Sequence, residues 1–295
     1  MGANIYKNKK PLLLFLIPAF AFMVLYLYYP FLINVMNSFQ KIAGMGEASK
    51  GFNDPWYSNY VEIFFDKNMH TALKNTLIMI VVTVIGQVGT ALLLALMVDN
   101  IRCGAKFFRV VYFFPIVISA TALGLLFNLI FLYDKGMINQ VLEILGFETL
   151  TDWKDKSNAL FTMMFPVMWQ YVGFYFVIII TGLNNISEEY YEAAAIDGAT
   201  RLQKIRYITM PLVYNVLCTC VVLAVTGALK VFDLPWTMFP KGMPLNSTWL
   251  IGTYMYYQTF EAANTDYSSA IAVIIAVLGV VTAGIVNGIF KERDY

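Results

Sequence analysis

Charge is what this 295-residue chain has least of: Asp, Glu, Lys and Arg make up 13% of it, against 59% hydrophobic residues, where a soluble domain carries roughly 25% charge. That scarcity excludes an ordinary soluble globular protein and points to helices dissolved in lipid. A formal net charge of +1 gives no sign of nucleic acid or of a strongly anionic partner. The one histidine, His70, has no Cys or second His companion at ligand spacing, so no metal site is expected. The three cysteines, Cys103, Cys218 and Cys220, form no disulfide framework and read as small hydrophobes. Catalytic signatures are missing as well. No Gly-x4-Gly-Lys-Ser/Thr phosphate loop occurs, since Gly104-Ala105-Lys106 lacks both the preceding glycine and the hydroxyl residue. Gly-x-Ser-x-Gly, His-Glu-x-x-His and an intramembrane aspartate pair are also absent. No enzyme active site, catalytic residue or metal ligand is therefore assigned, and no bound cofactor is expected on this chain.

What is there is a series of long apolar runs, at about residues 11–35, 73–98, 107–132, 159–183, 212–231 and 270–290. These predict an all-α integral membrane protein of six transmembrane helices, one transmembrane domain over residues 1–295. Lys7, Lys9 and Lys10 precede the first run with the polarity of a signal peptide, but the run is too long and has no small-residue cleavage site, so it is expected to remain as a membrane helix. Tyr6 stands where myristoylation needs Ser or Thr. Residues 37–71 are polar and turn-rich, with Gly44, Gly46, Gly51 and Asn53-Asp54-Pro55, and predict an extramembrane loop. Gly86 and Gly89 in the second run suit close helix packing, and Gln87 between them reads as a packing polar group. Arg109, just inside the third run, is placed to snorkel. Pro115 is expected to kink or end that helix, leaving irregular backbone that protein must cover.

The stretch from Tyr190 to Leu212 is polar where its neighbours are not. Glu188 and Glu189 lie in the first turn of a short helix, with Asn185 or Ser187 available as cap. Ala193, Ala194 and Ala195 give helix propensity with little bulk, so another surface can approach closely. Asp197-Gly198 stops the helix. Arg201, Lys204 and Arg206 follow on a second short helix, and Pro211 opens the next apolar run, where its missing N–H is no loss.

In order and spacing, Glu192-Ala193-Ala194, Gly198, then Ile208-x-Met210-Pro211 resemble the EAA loop of ABC transporter permeases, Met210 standing where leucine is usual. The longer Tyr-Glu-Ala-Ala-x-Ile-Asp-Gly-Ala form, Tyr191 to Ala199, is similar to that of the carbohydrate-uptake branch. Asn75-Thr76, Arg109, Pro115, Gly136-x-Ile138-Asn139, Trp169 and Lys230-x-Phe232-Asp233 are arranged as in such permeases over about residues 10–292. One departure is Pro240-Lys241-Gly242-Met243-Pro244, where the branch often has Thr-x-Gly-Gly-Pro.

Eleven of the 20 Lys+Arg fall on one face in short segments: Lys7, Lys9, Lys10, Arg102, Lys106, Arg109, Arg201, Lys204, Arg206, Lys291 and Arg293. The positive-inside rule then makes that face, with both termini and the EAA loop, cytosolic.

The resemblance implies a sugar importer subunit in a bacterial cytoplasmic membrane. Glu192, Ala193, Ala194, Asp197, Gly198 and Pro211 would form a coupling site seated in a cleft of an ATPase subunit, Glu192 pairing with a basic residue there. ATP and Mg would be held by partners, not by this chain. The expected assembly is a heterodimer with a second permease, two ATP-binding subunits and an extracellular solute-binding protein, embedded in the lipid bilayer, without nucleic acid. The substrate route should run near mid-membrane, where aromatic rings cover sugar faces and polar side chains satisfy hydroxyls. The candidates are Asn128, Gln170, Tyr171, Lys230 and Asp233; Gln170 and Tyr171 follow Trp169 at the place that lines the sugar pocket in the related maltose permease. Interhelical hydrogen bonding, or interfacial anchoring for Lys230 and Asp233, is the alternative for each. A permease for amino acids or phosphate esters shares a version of the loop. An ion-coupled secondary transporter would need more spans or an internal repeat and leaves the loop unexplained, and a membrane-embedded enzyme lacks its constellation.

Overall fold

The computed structural model describes residues 9–99, 104–147 and 150–289, and they are overwhelmingly helical. The helices are α1 (Leu12–Asn37), α2 (Ser58–Phe65), α3 (Lys67–Val98), α4 (Ala105–Val117), α5 (Ala120–Ile130), α6 (Met137–Ile144), α7 (Ala159–Asn184), α8 (Glu188–Ile196), α9 (Arg201–Lys204), α10 (Met210–Lys230), α11 (Asp233–Met238), α12 (Ile251–Phe260) and α13 (Thr265–Ile289). Among the described residues, five helical stretches are long and apolar enough to cross a membrane, and the number is six when α4 and α5, bent by 94° at the break between them, are counted as one span. The chain is an all-α membrane protein. Arg102, Cys103, Lys7, Lys291 and Arg293 lie outside the described residues; Cys218 and Cys220 are buried thiols.

The third apolar run is where the structure departs most from a plain span. Pro115 cannot donate to the carbonyl of Val111, and α4 ends two residues later. Ile118 and Ser119 are extended (ψ 137° and 132°) before α5 starts. The fifth run differs too. The basic helix α9 continues through a widened π turn at Ile205–Thr209 directly into α10, and the extra residue of that turn gives Pro211 room where a regular helix would clash. After Lys230 the chain breaks at Val231-Phe232 and restarts as α11. The helix α3 begins before its apolar run because Asp66 caps it, accepting the N–H of Asn68 at 2.8 Å. It widens to a π turn over Thr83–Gly89.

By their internal packing the described residues form two units, one drawn from 1–65 with 255–274 and one from 66–254 with 275–295. In the first, the segment after α1 is folded, not merely a loop: Gln40 pairs antiparallel with Phe52, Ser38 Oγ and Tyr60 OH lie 2.8 Å apart, Asn59 donates to Ser38 O at 3.0 Å, and Asn34 reaches Ser269 O at 3.3 Å.

The second unit is organised around α7, whose apolar window is 56% buried, more than that of any other crossing helix. One half of α7 packs Met163, Met164 and Val167 against Met79, Leu123, Phe127 and Leu234; the other half packs Phe176, Ile179 and Ile180 against Ala91, Ala95, Val213 and Ala224. Glycine permits the closest approach: a Cβ on Gly173 would stand 1.8 Å from the backbone oxygen of Tyr112, so α4 and α7 touch main chain to main chain. Gly124 lets α5 close on α11, where a Cβ would meet the Thr237 side chain at 2.8 Å. Side-chain amides hold the irregular parts. Asn75 donates to Ser247 O (2.7 Å) and Trp249 O (2.9 Å), and Thr76 Oγ1 accepts from Ile251 N at 3.0 Å. Asn139 donates to Tyr133 O and Thr151 O, both at 3.0 Å, and accepts from Trp153 Nε1 at 2.8 Å. These amides satisfy loop carbonyls that would otherwise be buried bare.

Candidate substrate cavity and coupling loop

Three backbone irregularities meet at one cavity of about 200 Å³ within the second unit. The π turn of α3 contributes Thr83 and Gln87, the α4–α5 break contributes Ala120, and the α10–α11 break contributes Lys230 to Leu234; α7 closes it with Gln170, Tyr171 and Tyr175. Irregular backbone at membrane depth survives only where protein buries it or a polar cavity is lined by it, and π turns recur at such sites.

Gln170 is 4% exposed and its Nε2 donates to Ile118 O at 3.3 Å, satisfying a carbonyl that the break in the third span releases. Gln87, 3% exposed, donates from Nε2 to Val167 O at 2.9 Å. Lys230 and Asp233 are exposed at the rim, three residues apart across the break. The Phe232 ring beside them is stacked on Trp236, with centroids 5.8 Å apart.

Of the five substrate-route candidates, four line this cavity: Gln170, Tyr171, Lys230 and Asp233. Asn128 does not. Its amide donates to Thr237 O at 3.0 Å and ties α5 to α11. Trp169, adjacent to Gln170 in sequence, lies instead along an apolar groove with Phe165 and Met168, its ring edge-on to Phe127 at 5.7 Å. Gln87 is the packing polar group the sequence suggests, donating to Val167 O, and it lines the cavity as well.

The loop between α7 and α10 is locked by its own caps. Ser187, not Asn185, caps α8, accepting the N–H of Glu189 at 3.4 Å. Gly198 sits at φ +75°, its N–H donating to Ala195 O and that of Ala199 to Ala194 O, the paired bonds of a glycine-terminated helix. Thr200 and Gln203 form a capping box that starts α9. Lys204 Nζ then donates to Tyr191 O at 3.0 Å, and Tyr191 OH lies 3.0 Å from Thr209 Oγ1, joining the two helices. Glu192, Ala193, Asp197 and Gly198 are exposed on this frame, while Ala194 and Pro211 are half-buried. Three large apolar side chains also stand out from it: Ile196 at 87%, Leu202 at 75% and Tyr207 at 70% exposure. Apolar groups held out on a polar, rigid loop mark a contact surface. At the end of α3, burial holds the Asp99 carboxyl above its usual range against the opposing pull of Arg109, whose buried Nε finds no partner among the described residues.

Residues 87–293 match the family described as "Binding-protein-dependent transport system inner membrane component". "Probable ABC transporter permease protein YurN" of Bacillus subtilis (strain 168) is 33% identical over 276 residues, covering 92% of this chain and 93% of the relative. "Diacetylchitobiose uptake system permease protein NgcF" of Streptomyces coelicolor is 32% identical over 251 residues, 81% of this chain and 71% of the relative. The fold matches a chain of the crystal structure of a bacterial ABC transporter involved in the import of the acidic polysaccharide alginate, with a TM-score of 0.84, 21% identity and 97% of each chain covered. The chain belongs to the binding-protein-dependent transport inner membrane family, the membrane-embedded permeases of ABC transporters.

Proposed function

We propose that this chain is the permease subunit of an ATP-driven importer that carries an oligosaccharide across a bacterial cytoplasmic membrane. The observation that carries the coupling part is the cap-locked loop at residues 187–210, which holds Glu192 and a rim of apolar side chains outward. Its rigidity lets it transmit a displacement of a docked partner into α7 and α10, which it connects and which both line the cavity. Glu192, Ala193, Ala194, Asp197, Gly198 and Pro211 form the coupling site, with Glu192 meeting a cation on an ATPase subunit. Gln170, Tyr171, Lys230 and Asp233 face the passing sugar, while Asn128 supports α5.

The six spans act as one permease domain with both termini and the loop on the cytosolic side. The partners are a second, different permease, two ATP-binding subunits that hold ATP and Mg, and an extracellular solute-binding protein. Support for the last comes from the fold neighbour solved "in complex with alginate pentasaccharide-bound periplasmic protein", and support for a sugar comes from named relatives such as those for diacetylchitobiose and arabinooligosaccharides. The test is uptake of labelled mono- and oligosaccharides, with an amino-acid control, in a deletion strain complemented by wild type or Glu192→Lys. Loss of one oligosaccharide, restored by wild type only, supports the reading; intact sugar uptake with loss of a non-sugar solute overturns the carbohydrate part.

A further inference from the structure

A second, apolar groove follows α7 on a different side from the cavity. Phe161, Phe165 and Trp169 recur at four-residue spacing, so they line one face of the helix, and all three are exposed. Two hollows of about 310 and 530 Å³ share Phe165 and therefore succeed one another along this face. Phe131, Ile138 and Trp153 wall the first; Leu94, Val111, Phe114 and Pro115 wall the second, which reaches Val172. From Phe161 to Val172 the helix rises about 16 Å. That is close to half of the roughly 30 Å hydrocarbon core, the depth of one leaflet.

The lining suits a hydrocarbon chain better than a neighbouring helix. Membrane helices pack through small residues or through hydrogen bonds between them, and this groove contains no Gly, Ala or Ser. Its two threonines are spent internally, Thr162 Oγ1 on Trp153 O at 2.8 Å and Thr90 Oγ1 on Gly86 O. Apart from the Tyr112 hydroxyl and the Trp169 indole N–H, the deeper hollow is hydrocarbon. Polarity is concentrated at the other end. Asn158, which immediately precedes the span Ala159–Asn184, lines the first hollow with Trp153, a residue type that favours the lipid–water boundary. Its Nδ2 donates to Asp152 O at 2.9 Å, while its Oδ1 accepts from no described residue. The segment joining Trp153 to Asn158 begins beside Asp152 and carries Lys154, Asp155 and Lys156, so both signs of charge stand there in equal number.

We infer that this groove is a binding site for a phospholipid with a zwitterionic headgroup, in the leaflet remote from the coupling loop. The ammonium and phosphate lie against the balanced charges of residues 152–156 and the open oxygen of Asn158, and one acyl chain follows Phe161, Phe165 and Trp169 to Val172. Because Val111 and Pro115 line the deeper hollow, the chain also braces α4 where that helix stops.

The experiment uses the whole transporter, this chain with the subunits that co-purify with it, in bilayers of phosphatidylethanolamine brominated midway along one acyl chain, followed by exchange into detergent. Emission from Trp169 is read as the difference between wild type and Trp169→Phe. Trp169 is expected to be quenched in the bilayer and to remain quenched after the exchange, when loosely associated lipid has been removed. Val111→Phe, which adds bulk to the deeper hollow, is expected to reduce the retained quenching several-fold while the subunits still co-purify. Brominated phosphatidylglycerol is expected to be retained several-fold less than the zwitterionic lipid. Loss of all Trp169 quenching on exchange, or retained quenching undiminished in Val111→Phe, overturns the site. Protection of Trp169 from brominated lipid even in the bilayer would assign the groove to a helix of a partner subunit and overturn it as well. Equal or better retention of the anionic lipid overturns the headgroup assignment.

Discussion

The side-chain amide of Gln170 donates to the carbonyl of Ile118 at 3.3 Å, so a cavity-lining residue of α7 also holds the point at which the third span breaks by 94°. Occupancy of the cavity and the geometry of the break therefore share an atom group. Gln170→Leu leaves the Ile118 carbonyl without that donor, at a cost of about 1–3 kcal/mol for a buried unsatisfied group. The midpoint of thermal unfolding of the purified complex is expected to drop by several degrees. A midpoint equal to wild type would show that the break is held by other contacts.

A second expectation concerns Gly173. Any side chain there places Cβ 1.8 Å from the Tyr112 carbonyl oxygen, a backbone atom that cannot rotate away. Gly173→Ala should force α4 and α7 apart and lower the yield of folded protein sharply, by the mechanism of overpacking, worth about 1–3 kcal/mol or more. Gly284→Ala, with nothing within 4 Å of the added carbon, should match wild type in the same membrane-yield assay. Equal yields for both variants would contradict the close approach of the two helices.

The six crossings were legible in the apolar runs, because a bilayer imposes one length on every span. The internal breaks were legible only in part. Pro115 announces irregularity, but whether it kinks or ends the helix is decided by tertiary partners, here Gln170 across the gap. That break also explains Asn128: a 94° bend re-aims every side chain of α5, so its face cannot be extrapolated from α4, and the amide turns to Thr237 instead of the cavity. Helix stops in the loop were plain from Gly198, whose positive φ of +75° is a backbone requirement that sequence records directly. The link from Lys204 to Tyr191 O was not, since a long flexible side chain finds its acceptor only once both helices are placed.

The loop makes a third prediction. Gly198→Val puts a β-branched residue at φ +75° and should cost about 1–2 kcal/mol in the left-handed region. Lys204→Met removes the bond to Tyr191 O, 3.0 Å long, without changing helix propensity much. Both should leave the amount of membrane-inserted protein nearly unchanged while reducing ATPase co-purification several-fold. Full retention of the ATPase in both variants would mean that loop rigidity plays no part in docking.

A fourth concerns Asn75, which donates to both Ser247 O and Trp249 O. Asn75→Leu strips two loop carbonyls of their shared donor at once. Limited proteolysis should then cut between residues 240 and 250 several times faster than in wild type; an unchanged rate would assign the order of that segment to the packing of Trp249 alone.

The central claim is that transport through this chain is driven by ATP and transmitted through the loop at Glu192. Its most direct test is uptake of a labelled oligosaccharide into proteoliposomes holding the complete transporter and saturated binding protein, with ATP inside or withheld and with ion gradients collapsed by ionophores. The account predicts uptake that requires ATP, survives ionophores and is lost in Glu192→Lys. Uptake that continues without ATP and disappears when the gradients collapse would contradict it.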